Sequence, residues 1–273
     1  MNHALSTHLW ANHRLTSNLL AKIEQAGIPE VEIFCAKQHL DCRDRAQIVE
    51  LGHWFRDSEL KLRSLHSPMF TDDIWGRSGP HAVITITEQV KSRRMPMVEE
   101  IKRAIEIAEL IPFRYLIQHI GVGGEEFDMR KFDAAFTALE ELRVFARQLD
   151  VEILLENIPN ELSTAARLRE FQDLTHIGLN YAFDTGHAHM GEGVEKAFHS
   201  MKERIRSTHV HDNNGTEDAH LFPFSGAIDW KIVMPLLRGC GGQFPLLLEL
   251  KEQPGAANPL DAVKQAFDRL EEQ

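Results

Sequence analysis

The sequence predicts an α/β fold, a closed (β/α)8 TIM barrel. Short apolar runs alternate with longer amphipathic ones eight times over. Such alternation implies parallel strands joined by helical crossovers. The chain has 273 residues, the size of eight such units closed into a barrel. A doubly wound sheet would carry a glycine-rich phosphate turn after its first strand, and STHLWANHR has no glycine.

Each element has its own signal. A weak first strand lies around His3–Leu9 and a helix at Leu15–Ala26. VEIFCAK (31–37) is rich in β-branched and aromatic residues and reads as the second strand. Helix 44–60 follows, with Ile48, Leu51 and Phe55 on one face. KLRSLHS (61–67) is a strand, IKRAIEIAELI (101–111) a helix, YLIQHIG (115–121) a strand, and 132–150 a helix. VEILLEN (151–157), helix 164–174, IGLNYAFD (177–184) and helix 195–205 continue the pattern. STHVHDN (207–213) is the seventh strand, and helix 229–239 follows despite Pro235. FPLLLEL (244–250) is the last strand, and 259–272 the closing helix.

No Ser/Gly-rich linker or low-complexity tract interrupts the pattern, so a single domain over 1–273 is expected. The longest irregular stretch, Pro68–Pro96, follows the third strand and should overhang the barrel mouth. The net charge of −11 argues against a nucleic-acid or membrane coat. Cys35, Cys42 and Cys240 are odd in number and spread out, as reduced thiols of a cytoplasmic protein would be. Neither a signal peptide nor a run of about 20 apolar residues is present. A homo-oligomer is compatible with all of this.

Candidate metal donors sit where the barrel gathers them. His66 ends strand 3, His119 lies late in strand 4 and Glu156 ends strand 5. Asp184 ends strand 6, with His187 three residues on. His209 lies late in strand 7, Asp218 and His220 sit in the loop after it, and Glu249 is near the end of strand 8. The C-terminal strand ends of this fold converge on one mouth. Any one of these residues reads most simply as a hydrogen-bonded core group. Nine of them at the same end of their units do not, because converging carboxylates repel one another and protonate. A divalent cation relieves that repulsion and takes such O and N donors. No cysteine lies among them, so zinc, manganese, cobalt or magnesium fits. His53, His176 and His199 read as solvated, and His189 as a mouth residue at best. His211 shares the strand parity of His209 about 7 Å further along and reads as a rim or substrate contact.

LLEN (154–157), FDTGH (183–187), HVHDN (209–213), the Asp-x-His of 218–220 followed by SGAIDW, and LLLEL (246–250) resemble the xylose isomerase-like TIM-barrel superfamily. It includes sugar-phosphate isomerases and epimerases and the endonuclease IV (AP endonuclease family 2) branch. The resemblance to its epimerases implies one metal on Glu156, Asp184, His209 and Glu249, with Glu156 and Glu249 as the acid/base pair. That to endonuclease IV implies a trinuclear zinc cluster: His66, His119 and Glu156; Glu156, Asp184, His209 and Glu249; His187, Asp218 and His220. The chain departs from the nuclease pattern in reading IPNE after Glu156–Asn157 and DTGHAHMGEG at strand 6.

The first functional expectation is therefore a metal-dependent isomerase or epimerase of a sugar, sugar phosphate or inosose-type polyol. It would work by Glu/Glu proton transfer through a metal-stabilised enediolate. His187 and His211 would contact the small-molecule substrate, and Trp75 would supply an apolar wall. The second is a zinc phosphodiesterase. Its DNA contacts would have to come from Lys91, Arg93, Arg94 and Arg77, with Trp75 as the only aromatic wedge. The third is a metal-binding barrel acting as a subunit of a larger complex.

Overall fold

The computed structural model describes residues 1–252 and 258–273. Among these residues there are eight strands: β1 His3–Ser6, β2 Glu30–Phe34, β3 Lys61–His66, β4 Tyr115–His119, β5 Glu152–Glu156, β6 Asn180–Asp184, β7 Ile205–His209 and β8 Leu246–Leu248. They form one sheet in the order β7-β6-β5-β4-β3-β2-β1-β8, every pair parallel. Val210 closes the circle. It bridges Leu248 in parallel, its N–H reaching Leu247 O at 2.8 Å. This is the expected barrel.

Nine α-helices accompany the strands among the described residues: α1 Ser17–Gln25, α2 Arg45–Arg56, α3 Lys91–Glu106, α4 Met129–Arg147, α5 Ala165–Thr175, α6 Thr185–Met190, α7 Val194–Met201, α8 Trp230–Arg238 and α9 Pro259–Glu271. Side-chain caps mark the starts of several. Thr16, Asp44, Asp128, Thr164, Asp229 and Asn258 each accept a bond from a backbone N–H of the first turn, satisfying a donor the helix cannot. The helices bury their apolar faces on the outside of the sheet. Ile153, Leu155, Phe171 and Phe183 belong to that layer, each such burial contributing about 1.5–3 kcal/mol.

The period of two along a strand then explains the site. In β5, Ile153 and Leu155 face the helices, so Leu154 and Glu156 face the barrel axis. Tyr115, Ile117, Leu154 and Ala182 form a separate inner cluster. Two residues beyond Ile117, Leu154 and Ala182 stand His119, Glu156 and Asp184. The donors are thus the uppermost inward layer, and apolar or small residues fill most of the layer beneath.

Two boundaries differ from expectation. Helix α3 begins at Lys91, ten residues early, and contains Pro96. The Val98–Ile101–Ile105 face continues upstream to a buried Arg94, whose guanidinium donates to Glu88 O and Gln89 O. Pro96 is the sixth residue of the helix, where it removes one backbone hydrogen bond, and the helix continues through it to Glu106. The irregular stretch is correspondingly shorter than Pro68–Pro96 and includes a 3-10 turn at Gly79–Ala82. Helix α6 is an additional short helix between β6 and α7. Asp184 caps it, accepting His187 N–H at 2.6 Å, and so one carboxylate both faces the barrel mouth and aims the next donor.

Candidate metal centre

Three donor groups meet at the C-terminal mouth: His66, His119 and Glu156; Glu156, Asp184, His209 and Glu249; and His187, His211, Asp218 and His220. Within each group the candidate ligand atoms lie within 4.8 Å of one another. Glu156, Asp184 and His209 are fully buried, and Glu249 nearly so.

Backbone acceptors orient the imidazoles. His66 places Nδ1 3.0 Å from Ser67 O, His187 places Nδ1 3.0 Å from Asn157 O, and His220 places Nδ1 3.1 Å from Glu249 O. A carbonyl only accepts, so each Nδ1 carries the hydrogen and each Nε2 faces the centre. There the contacts are to other acceptors. His66 Nε2 lies 3.2 Å from His119 Nε2 and 3.5 Å from Glu156 Oε2, and His119 Nε2 lies 3.0 Å from that same oxygen. Donors on one tetrahedral ion with bonds near 2.0–2.1 Å stand about 3.3 Å apart, the spacing found here. In the third group, Asp218 Oδ2 is 3.4 Å from His187 Nε2, and Asp218 Oδ1 is 3.2 Å from His220 Nε2.

In the middle group the ring is reversed. His209 Nδ1 faces Glu156 Oε1 at 2.9 Å, Glu249 Oε2 at 3.4 Å and Asp184 Oδ2 at 3.9 Å. Among the described residues, buried Glu249 Oε1 and Asp218 Oδ1 have no hydrogen-bond partner, an arrangement that costs free energy unless something else satisfies them. Clustered carboxylates, imidazole lone pairs turned inward and orphaned oxygens together fit a divalent cation held by oxygen and nitrogen donors.

Titration tells the same story in charge. Burial pushes His209 down, but Glu156, Glu249 and Glu32 carry it well above the ordinary imidazole value. Burial likewise opposes His187, and Asp184, Asp218 and Glu156 overcome it. The carboxylates demand positive charge, and without an ion the imidazoles must supply it. Glu156 and Glu249 diverge. Burial would raise Glu156, but His209 and His119 hold it well below the carboxylate range. Burial dominates at Glu249, which sits above it.

Above the donors is a cavity of about 170 Å³, lined by His66, His119, Glu156, His187, Asp218, His220 and Glu249, and walled by His8, Phe34, Met69 and Trp75. A cavity of about 380 Å³ adjoins it, sharing Ile158, Pro159 and His187 in its lining. A still larger one, about 770 Å³, is lined by Leu60, Lys61, Arg114 and Asp150 at the opposite end of the barrel and contains none of the donors.

His211 corrects an expectation. Strand β7 ends at His209, and His211 is fully buried rather than on the rim. Its Nε2 lies 3.1 Å from both Asp184 oxygens, and its ring stacks on His220 at 4.0 Å. It does not line the cavity above the donors. Gly186 makes room for it, since a Cβ there would lie 2.0 Å from His211 Cε1. Trp75 does line the cavity, 5.0 Å from the Phe34 ring and 5.5 Å from His8, packed as a wall rather than protruding as a wedge. Lys91, Arg93 and Arg94 form the first turn of α3, and Arg93 lies 3.5 Å from Glu88. Asp212 in HVHDN is a structural hub. It accepts the N–H groups of Phe224 and Ile228 and the Trp230 indole, pinning the SGAIDW loop.

Two residues escaped the sequence reading. Glu32, inside β2, is fully buried against His209. His8 donates Nδ1–H to Leu250 O at 3.0 Å and faces the cavity. Its burial and the neighbouring His220 and Lys251 hold it well below the usual imidazole value.

A histidine- and carboxylate-rich centre at the C-terminal mouth of an eight-stranded α/β barrel defines the class. The family model of the xylose isomerase-like TIM barrel matches residues 20–273, and the chain belongs to that family. The uncharacterized protein y4fM of Sinorhizobium fredii is 26% identical over 168 residues, covering 58% of this chain and 53% of that protein; the match thus spans about half of that relative. A crystal structure of a D-tagatose 3-epimerase-like protein is 25% identical, with a TM-score of 0.78, over 100% of this chain and 96% of the other. That of the IolI protein with a bound zinc atom has a TM-score of 0.78 at 16% identity, covering 99% of this chain and 98% of the other. No helix among the described residues is long and apolar enough to cross a membrane.

Proposed function

We propose that this chain is a divalent-metal-dependent isomerase or epimerase of a small sugar or polyol, with Glu156 and Glu249 as its proton-transfer pair. The observation that carries this reading is the pair itself. Two buried carboxylates flank His209 Nδ1, at 2.9 and 3.4 Å, on the wall of one small cavity. Likeness to a D-tagatose 3-epimerase-like protein supports it, as does the zinc atom in the IolI structure.

A divalent ion on Glu156, Asp184, His209 and Glu249 would supply Lewis acidity toward a substrate carbonyl. The remaining steps belong to the side chains. Both glutamates would hold the ion as carboxylates, and what separates them is geometry. Glu249 has the free oxygen. Its Oε1 has no partner among the described residues, whereas Glu156 Oε1 faces His209 and Oε2 faces His119. One carboxylate takes the proton from the carbon beside the carbonyl, and the other returns a proton to the opposite face or the neighbouring carbon. Trp75, Phe34 and Met69 exclude water on one side.

The test is solvent-deuterium exchange across a panel of ketoses and inososes. The reading expects deuterium at the carbon beside the carbonyl, lost in Glu156→Gln and in Glu249→Gln. Exchange that persists in both variants would sink the assignment.

One observation favours a second reading, a zinc phosphodiesterase. The outer groups, His66 with His119 and His187 with Asp218 and His220, are spaced to hold further ions. Incision of abasic DNA, with three zinc ions per chain and no deuterium exchange, would establish it over the first.

A further inference from the structure

His66, His187 and His220 hand their second ring nitrogen to a backbone carbonyl. His209 does not. Its Nε2 points down the barrel axis, where the backbone groups of the surrounding strands are committed to the sheet ladder. Only a side chain offers an acceptor there, and Glu32 supplies it. His209 Nε2 lies 3.1 Å from Glu32 Oε1 and 3.3 Å from Oε2. Glu32 is fully buried. Among the described residues no lysine or arginine pairs with it, and its other donor is Ser64, whose Oγ–H reaches Oε2 at 2.7 Å.

The backbone is arranged for this contact. Strands β2 and β3 pair with a register shift between Val31 and Glu32, which brings Ser64 opposite Glu32. Bulges of this kind re-aim side chains near functional sites. A buried carboxylate costs free energy, and replacing a buried ion pair by apolar residues is often neutral or stabilising. Stability alone therefore gives little reason for a glutamate in the inner layer.

We propose that Glu32 is the positioning residue of His209. It holds the Nε2–H, and so Nδ1 is the nitrogen presented to Glu156, Asp184 and Glu249. The inference rests on the metal reading above and assigns a function to a residue one layer below the ligand set. A carboxylate on the outer nitrogen fixes the ring and makes the inner nitrogen a stronger donor, and losing such a partner typically weakens metal affinity about 10–100-fold.

Zinc(II) is the probe. Its affinity would be measured by chelator competition for the wild type, Glu32→Gln and Ser64→Ala, and the imidazole 15N resonances recorded with zinc bound. Glu32→Gln keeps the size and an acceptor but removes the charge. Expected are zinc binding about 10–100-fold weaker in Glu32→Gln, a shift of the His209 ring nitrogens, and a smaller loss in Ser64→Ala. A role confined to packing would move melting temperature but neither the zinc affinity of the folded variant nor its ring resonances. Wild-type affinity in both variants overturns the inference and leaves the metal reading intact. A wild type that binds no zinc overturns both. Should Glu32→Gln not fold, Ser64→Ala decides alone: affinity equal to wild type overturns the proposal, and a loss supports it.

Discussion

Glu156→Gln is the most informative perturbation of the centre, because Glu156 belongs to two donor groups at once. One oxygen lies 2.9 Å from His209 Nδ1 and the other 3.0 Å from His119 Nε2, with no exposure to solvent. Removing one partner of a buried ionic contact costs about 3–5 kcal/mol, so the metal-free variant should be less stable by about that much. The larger effect is on ion binding. An ion present at 100 times its dissociation constant stabilises the folded state by about 2.7 kcal/mol. At about 2–4 °C per kcal/mol, that is a rise of roughly 5–10 °C in melting temperature for the wild type. The assay is calorimetry of chelator-treated protein with and without zinc or manganese. The reasoning expects the rise in the wild type and little or none in Glu156→Gln. A variant that gains as many degrees as the wild type would show that Glu156 holds no ion, and the convergence of the two groups would lose its meaning.

Three further outcomes follow from other parts of the molecule. His39 is buried and its pKa is lowered from 6.5 to about 4, chiefly by burial. Its contribution is therefore present above pH 6.5 and lost as pH falls from there through 4, by about 3 kcal/mol; urea midpoints at pH 7 and pH 4.5 should differ less in His39→Gln than in the wild type. Gly186→Ala places a Cβ against the His211 ring, and overpacking of this kind costs about 1–3 kcal/mol, read as a lower urea midpoint. Asp212→Ala orphans the Trp230 indole and the N–H groups of Phe224 and Ile228. At about 1–3 kcal/mol for each buried donor, it should be the most destabilising of these substitutions in denaturant titration.

Much of the mouth was legible because barrel geometry turns strand ends into spatial neighbours. His66, His119, Glu156, Asp184 and His209 each end a strand, and the period of two puts all five on the inner face. Glu32 was not legible. It lies inside an apolar strand, its partner His209 is 177 residues away, and the shift that pairs it with Ser64 leaves no mark in either strand. His211 was misread because parity was carried past the end of β7, where the chain leaves the strand and the ring turns inward. The start of α3 was missed because the irregular stretch was taken to run to Pro96, whereas the helix already begins at Lys91 and includes the buried Arg94.

Everything said about chemistry requires an ion between Glu156, Asp184, His209 and Glu249. Equilibrium dialysis of the chelator-treated protein against zinc, followed by elemental analysis, tests this directly. At least one ion should stay with each chain after dialysis into metal-free buffer, and Asp184→Ala paired with His209→Ala should abolish its retention. A folded wild type that keeps no more zinc than that double variant would contradict the account.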